Sequence, residues 1–189
     1  MKKAITITFI TLLFCRFSGL CQVSPANWQA KWIGVSYAEV PGSGVPQYFR
    51  KEFSAAKKIK KAMAFITSRG TYEARLNGRR IGDQYLAPGW TSFHTRLQFQ
   101  SYDVTALLVK GVNKIDAMLG NGWYRGEIPF DAKYHYGEKL GLLFQLELVY
   151  TDGSKEMVLS DQSWKSGKGQ STYAEIYHGE TIDHRVKDV

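Results

Sequence analysis

Between Leu119 and Lys139 runs the stretch LGNGWYRGEIPFDAKYHYGEK, which gathers Asn121, Trp123, Tyr124, Glu127, Asp131, Tyr134, His135 and Tyr136. Upstream, RGTYEARLNGRRIGDQYLAPGWTSFHTR (Arg69–Arg96) holds Tyr72, Arg75, Asn77, Tyr85, Trp90 and His94. Aromatic faces stack on the C–H faces of sugar rings, and Asn, Asp and Arg side chains hydrogen-bond hydroxyls. Trp90, Asn121, Trp123, Tyr124, Tyr134 and Tyr136 are therefore the candidate carbohydrate contacts. The structural alternative is that Trp123, behind two glycines, plugs the end of a sandwich. A long loop inside a compact domain usually carries function. Asn121, Glu127 and Asp131 offer oxygen ligands of the kind calcium takes, without the dense acidic spacing of a calcium loop. His94, His135, His178 and His184 are scattered with no metal-ligand spacing and read as loop or surface residues.

A glycosidase needs two carboxyl groups across the scissile bond, one with a raised pKa. Glu175, Glu180 and Asp183 cluster in AEIYHGETIDHR, close to the C-terminus, with little chain left to exclude water. A salt-bridged strand end using Arg185 is the simpler reading. No Gly-x-Ser-x-Gly, His-Glu-x-x-His or phosphate loop occurs. The expectation is no catalytic residue.

The elements that must position these side chains read as strands. In AMAFITSRGTYEARL, Ala62, Ala64 and Ile66 alternate with Met63, Phe65 and Thr67; after Gly70, Tyr72, Ala74 and Leu76 oppose Glu73 and Arg75. In LLFQLELVY, Leu142, Phe144, Leu146, Leu148 and Tyr150 share one face, with Gln145 and Glu147 on the other. Period-two alternation marks half-buried strands. Asn77-Gly78 predicts a type I′ hairpin turn, Asp152-Gly153 a second one, and Gly111-Val112-Asn113 a break between two strands. Short strands at this spacing predict an all-β fold, an antiparallel β-sandwich of the jelly-roll kind.

The chain has 189 residues and a formal charge of +8. Lys2 and Lys3, an apolar run from Ala4 to Cys15 and the small residues of FSGLCQ have the layout of a secretory leader over 1–21, too short for a stable membrane span. Cleavage after Cys21 is expected, with lipoprotein processing ahead of Cys21 the alternative. The protein is thus expected to be exported, to the periplasm or outside the cell. Losing the leader leaves 22 basic against 17 acidic residues and no cysteine, so residues 22–189 form one domain stabilised by its core rather than by disulfides. Such a chain buries roughly 70% of its unfolded surface, which suffices. The basic run Lys57–Lys61 lacks interleaved aromatics and flanks a strand, so nucleic acid is not an expected partner.

Taken in order, YEARLNG, IGD, LAPGWTSF, YDVT, GVN, GNGWYRG, TDGS and GETIDHR resemble the N-terminal β-sandwich domain of bacterial α-L-rhamnosidases. The likeness runs from Trp28 to Arg185. It implies a galactose-binding-like jelly roll in which the Pro88-Gly89-Trp90 loop leads from one sheet toward the other. It also implies an accessory domain beside an inverting (α/α)6 catalytic barrel that cleaves terminal α-L-rhamnose and has no counterpart here. The chain then reads as a separated or truncated module, inactive alone. Some modules of this type bind L-rhamnose through calcium, which by analogy singles out Asn121, for sugar and metal, and Trp123. The expected partners are an L-rhamnose-containing glycan or the parent's catalytic domain. Two alternatives stand beside this: a docking domain that binds no sugar, and the sugar-binding sandwich of another glycosidase family.

Overall fold

A computed structural model describes residues 24–25, 27–40, 42–129 and 133–187. The expected leader and Asp131 lie outside the described residues. Among the described residues eleven strands follow in order: β1 (Gln47–Ala55), β2 (Ile59–Arg69), β3 (Thr71–Leu76), β4 (Arg79–Arg80), β5 (Gln100–Asp103), β6 (Gly111–Gly120), β7 (Gly141–Tyr150), β8 (Lys155–Leu159), β9 (Lys165–Gly167), β10 (Ser171–Glu175) and β11 (Gly179–Ile182). A 3-10 turn (Thr105–Leu107) precedes β6, and one turn of α-helix, α1 (Gly122–Arg125), follows it. The strands form a five-stranded sheet in the order β4-β3-β6-β1-β9, a four-stranded sheet β5-β2-β7-β8 and a hairpin β10-β11. Neighbours within each sheet run antiparallel.

The alternation explains why two sheets face each other. Phe49, Ala74, Leu76, Ile115, Ala117 and Leu119 from the larger sheet meet Ala64, Ile66, Leu142, Phe144, Leu146 and Leu148 from the smaller, all buried in one cluster. Each buried Leu, Ile or Phe contributes about 1.5–3 kcal/mol by leaving water, so the two inward rows carry the fold. The architecture is an all-β jelly-roll sandwich, as the sequence predicts.

The turns agree in part. Asn77 and Gly78 take φ of 53° and 79°, the mirror-image turn that this pair favours. At Asp152-Gly153 only Gly153 is left-handed, with φ of 83°. The loop there is one residue longer: Tyr150 N–H donates to Ser154 O at 2.9 Å, and Asp152 Oδ1 accepts from Ser154 N–H at 3.0 Å. The predicted break at Gly111-Val112-Asn113 is instead the start of β6. The turn lies just before it, closed by the buried Asn113 side chain, which accepts from Val109 N–H at 2.9 Å and donates to Val109 O at 2.7 Å.

Gln145 also differs from expectation. It faces outward from the smaller sheet yet is fully buried, because the segment before β1 lies across it. Gln145 accepts from Gln29 N–H at 2.8 Å and donates to Asn27 O at 2.9 Å. Trp28 meets Phe65 and Phe99 edge-on at 6.3 Å and 5.7 Å. A polar residue at an outward position cannot announce that another segment will cover it.

Candidate functional site

Two loops converge at one end of the sandwich. The first, Leu86–Trp90, is tied to the core by Tyr72. Tyr72 N–H donates to Ala87 O at 2.7 Å, and its hydroxyl donates to Gln100 Oε1 at 2.9 Å. Gln100 in turn donates to Pro88 O at 3.1 Å. Burial, with Tyr102 alongside, raises the Tyr72 hydroxyl far above its ordinary pKa, so it remains a neutral donor. The Ala87-Pro88 peptide is cis.

The second loop begins with α1. Gly122 has φ of 53°, and a Cβ there would sit 2.6 Å from Thr71 Cγ2 and 2.9 Å from Thr71 N. Only glycine lets the chain turn this close to β3. The turn carries Trp123 toward Trp90.

The two indoles stack, centroids 5.7 Å apart and planes 9° from parallel. Trp90 Nε1 donates to the Tyr136 hydroxyl at 3.2 Å. Phe93 packs edge-on against Tyr124 at 5.6 Å and Tyr136 at 5.0 Å. His94 and His135 lie 5.9 Å apart, both against Tyr136. Trp90 is 44% exposed, so the assembly presents an aromatic surface to solvent. Ring faces with hydroxyl, indole N–H and imidazole edges are groups of the kind proteins use to contact sugars.

Behind this surface lies a buried polar chain. Arg125, 6% exposed, donates from Nε to Asn121 Oδ1 at 2.6 Å and from a terminal nitrogen to Glu39 Oε1 at 2.8 Å. Asn121, 4% exposed, donates to the buried carboxylate of Glu175 at 2.5 Å. This chain joins the segment before β1, α1 and β10. The amide oxygen expected to hold calcium is thus occupied by a guanidinium, and a cation there would face Arg125. Asn121 does not fit a calcium ion in this arrangement, and it does not belong to the exposed surface. Among the described residues no group of three or more His, Cys, Asp or Glu side chains is arranged to hold a metal.

Tyr134 is also apart from the cluster. It takes φ of 71°, donates its N–H to Arg125 O at 3.0 Å, and lines a separate cavity with Tyr37 and Glu39. All four histidines are exposed, and His178 Nε2 lies 3.0 Å from Glu127 Oε2. Asp183 is bonded to Arg185 at 2.8 Å, and the side-chain and backbone N–H groups of Arg185 hold its carboxyl below the usual range. A general acid needs the opposite shift.

Residues 57–189 match the family described as the alpha-L-rhamnosidase N-terminal domain. The chain belongs to that family. This rhamnosidase N-terminal domain is 40% identical over 162 residues to the α-L-rhamnosidase of Streptomyces avermitilis, covering 85% of this chain and 16% of that protein. The native α-L-rhamnosidase from Aspergillus terreus superposes with a TM-score of 0.78 at 43% identity, over 82% of this chain and 18% of that one. The Streptomyces avermitilis enzyme complexed with L-rhamnose superposes with a TM-score of 0.75, over 77% and 14%. The chain therefore spans less than a fifth of these relatives. Membership in the family decides against the sandwich of another glycosidase family.

Of the sequence candidates in this rhamnosidase domain, the structure brings together Trp90, Trp123, Tyr124 and Tyr136. Phe93, His94 and His135 join them, although their spacing gave no signal. Arg125, Glu39 and Glu175 were not singled out as a buried chain, since they lie up to 136 residues apart. A hint was available in GNGWYR: an Arg four residues after an Asn shares its helical face.

Proposed function

We propose that this chain is the non-catalytic accessory domain of an exported α-L-rhamnosidase acting on terminal α-L-rhamnosides, and that its aromatic end contacts the sugar. The observation that carries this reading is the stack of the exposed Trp90 on the half-buried Trp123, with Tyr136 hydrogen-bonded at its edge. A 6-deoxy sugar has an apolar methyl-bearing face for the indoles and hydroxyls for the phenol and imidazole edges. Hydrolysis belongs to the remainder of the parent enzyme, so the chain alone leaves an aryl α-L-rhamnoside intact. Titration calorimetry with L-rhamnose tests the proposal. The expected result is millimolar binding, lost in Trp90→Ala and Trp123→Ala, and equal with calcium or a chelator because Asn121 is already engaged. Absence of heat at millimolar ligand overturns the sugar contact. Mass spectrometry of the secreted product tests export, with cleavage after Cys21 expected.

The docking alternative is favoured by one observation. Tyr85 is exposed, Leu86 and Trp90 are nearly half exposed, and the three sit close together in sequence on the same loop. Such a patch suits a neighbouring domain as well as a glycan. If docking is its use, the isolated chain self-associates through this patch, and a clean monomer in sedimentation at high concentration rejects it.

A further inference from the structure

We infer a second binding surface, for a neutral oligosaccharide, in the cleft between the outer face of the five-stranded sheet and the β10-β11 hairpin. The cleft has a volume of about 580 Å³ and continues into a neighbouring cavity of about 340 Å³. The two share Glu73, Met118 and Glu180, so they form one elongated channel. Both volumes fall in the range of small-molecule sites. The channel contains none of Trp90, Trp123 and Tyr136, and it borders that end at Tyr72, Tyr85 and Leu86 on its wall.

The argument rests on charge balance and on rigidity. Arg50, Arg75, Arg80 and Lys114 line the channel against Glu73, Asp116, Glu175 and Glu180, four positive groups against four negative. On the sheet they are already paired. Arg50 Nε is 2.5 Å from Asp116 Oδ1 and Lys114 Nζ 3.5 Å from Asp116 Oδ2. Arg75 reaches Glu73 Oε1 at 2.7 Å, and Arg80 Nε is 3.2 Å from Glu73 Oε2. The latter contact lacks hydrogen-bond geometry, which leaves the buried Arg80 Nε–H without an acceptor. A chain with net positive charge thus keeps a locally neutral channel.

An ionic ligand of either sign would meet as many like charges as opposite ones. A neutral polyol meets donors and acceptors fixed on strands, which it can bridge without rearranging them. Between these groups lie Met118 on the floor and the half-exposed Ile182 on the roof, apolar surface for sugar C–H faces. The hairpin that forms the roof is held to the sandwich by Ser171 N–H to the Tyr48 hydroxyl at 3.0 Å and Ala174 N–H to Gly44 O at 2.8 Å. Floor and roof are therefore both ordered before a ligand arrives, which lowers the entropy cost of binding. The elongated shape suits a short run of sugar residues rather than one.

The test is amide-resolved NMR of the full chain titrated to about 10 mM with xylohexaose, cellohexaose and mannohexaose, well above a millimolar Kd. Trigalacturonate is the acidic counterpart and L-rhamnose the probe of the aromatic end. At least one neutral hexaose is expected to shift the amides of Asp116, Met118, Glu180 and Ile182. Glu180→Lys and Ile182→Arg, both on the exposed hairpin, should weaken that binding by about tenfold or more with unchanged dispersion of the spectrum. Trp123→Ala should leave it intact while abolishing any L-rhamnose response, so the two surfaces succeed or fail separately. No shift with any neutral hexaose overturns the inference. So does a response to trigalacturonate alone, or a hexaose response that survives both hairpin variants.

Discussion

Arg125→Met probes the buried chain that supports the aromatic end. Methionine keeps the length of the arginine stem but removes every donor. Asn121 Oδ1 then loses its partner inside the protein, where no water replaces it. A hydrogen bond to a charged group contributes about 1.5–3 kcal/mol, and this one is buried and 2.6 Å long. The bond to Glu39 adds less, because that carboxylate is 26% exposed and can turn to water. Together the loss comes to about 2–4 kcal/mol, placed between a surface pair and a fully buried one. For a chain of 189 residues that lowers the melting temperature by roughly 4–16 °C. Urea unfolding followed by tryptophan emission measures it, with the slope unchanged and the midpoint reduced. A loss under about 0.5 kcal/mol, the ordinary range of a surface substitution, would refute the assignment of Arg125 as the centre of the network.

Trp123→Ala should cost about 0.5–1.5 kcal/mol beyond its buried area, through loss of the stack on Trp90, and calorimetric melting reads the difference. Gly122→Ala should destabilise more than Gly78→Ala: both have positive φ, but a Cβ at Gly122 would sit 2.6 Å from Thr71 Cγ2 while nothing lies within 4 Å of one at Gly78. Equal losses would remove the steric argument. Asp103 and Asp161 are held below the usual carboxylate range by turn bonds to Thr105 and Ser163, and Asp183 by Arg185. Their folded pKa values lie below the unfolded value of about 3.9, so their contribution is complete above that pH and is lost as pH falls through the folded values. Melting temperature should therefore decline below about pH 4, and Asp103→Asn, which keeps an acceptor in the turn, should flatten part of the decline. Tyr150 acts on the alkaline side. Burial and its bond to Glu156 push its pKa up to about 12, so its contribution is intact at neutral pH. It is lost above the unfolded value of about 10, which difference-absorbance titration at alkaline pH can follow.

Local features were the legible ones. Alternation in β2, β3 and β7 marked the inward rows, because a strand's two faces are set by neighbours in sequence. The Asn77-Gly78 turn was legible for the same reason. The Asp152-Gly153 loop misled, since Asp152 uses its side chain to accept from Ser154 and shifts the turn by one residue. Trp90 and Trp123 were recognisable as chemistry-bearing residues but not as a stacked pair. Their contact depends on how Tyr72, Gln100 and Thr71 aim two loops at each other. Asn121 looked free because nothing in GNGWYRG tells of Glu175, which reaches it from β10 after 53 intervening residues. Long-range polar partners leave no periodic trace.

The hairpin at Asn77-Gly78 also governs how this protein ages. In a flexible peptide an Asn-Gly pair is the dipeptide quickest to deamidate, as the following amide nitrogen attacks the side-chain carbonyl and closes a succinimide ring. Here the Asn77 amide is clamped at both ends. Its Nδ2 donates to Leu107 O at 2.9 Å and Asn113 Oδ1 at 2.8 Å, and its Oδ1 accepts from Lys114 N–H at 2.9 Å. Ring closure must first break these bonds, so the native state shields this fragile site, one of two Asn-Gly pairs in the chain beside Asn121-Gly122. Each excursion to the unfolded chain exposes that site, and isoaspartate at position 77 becomes a cumulative record of time spent unfolded.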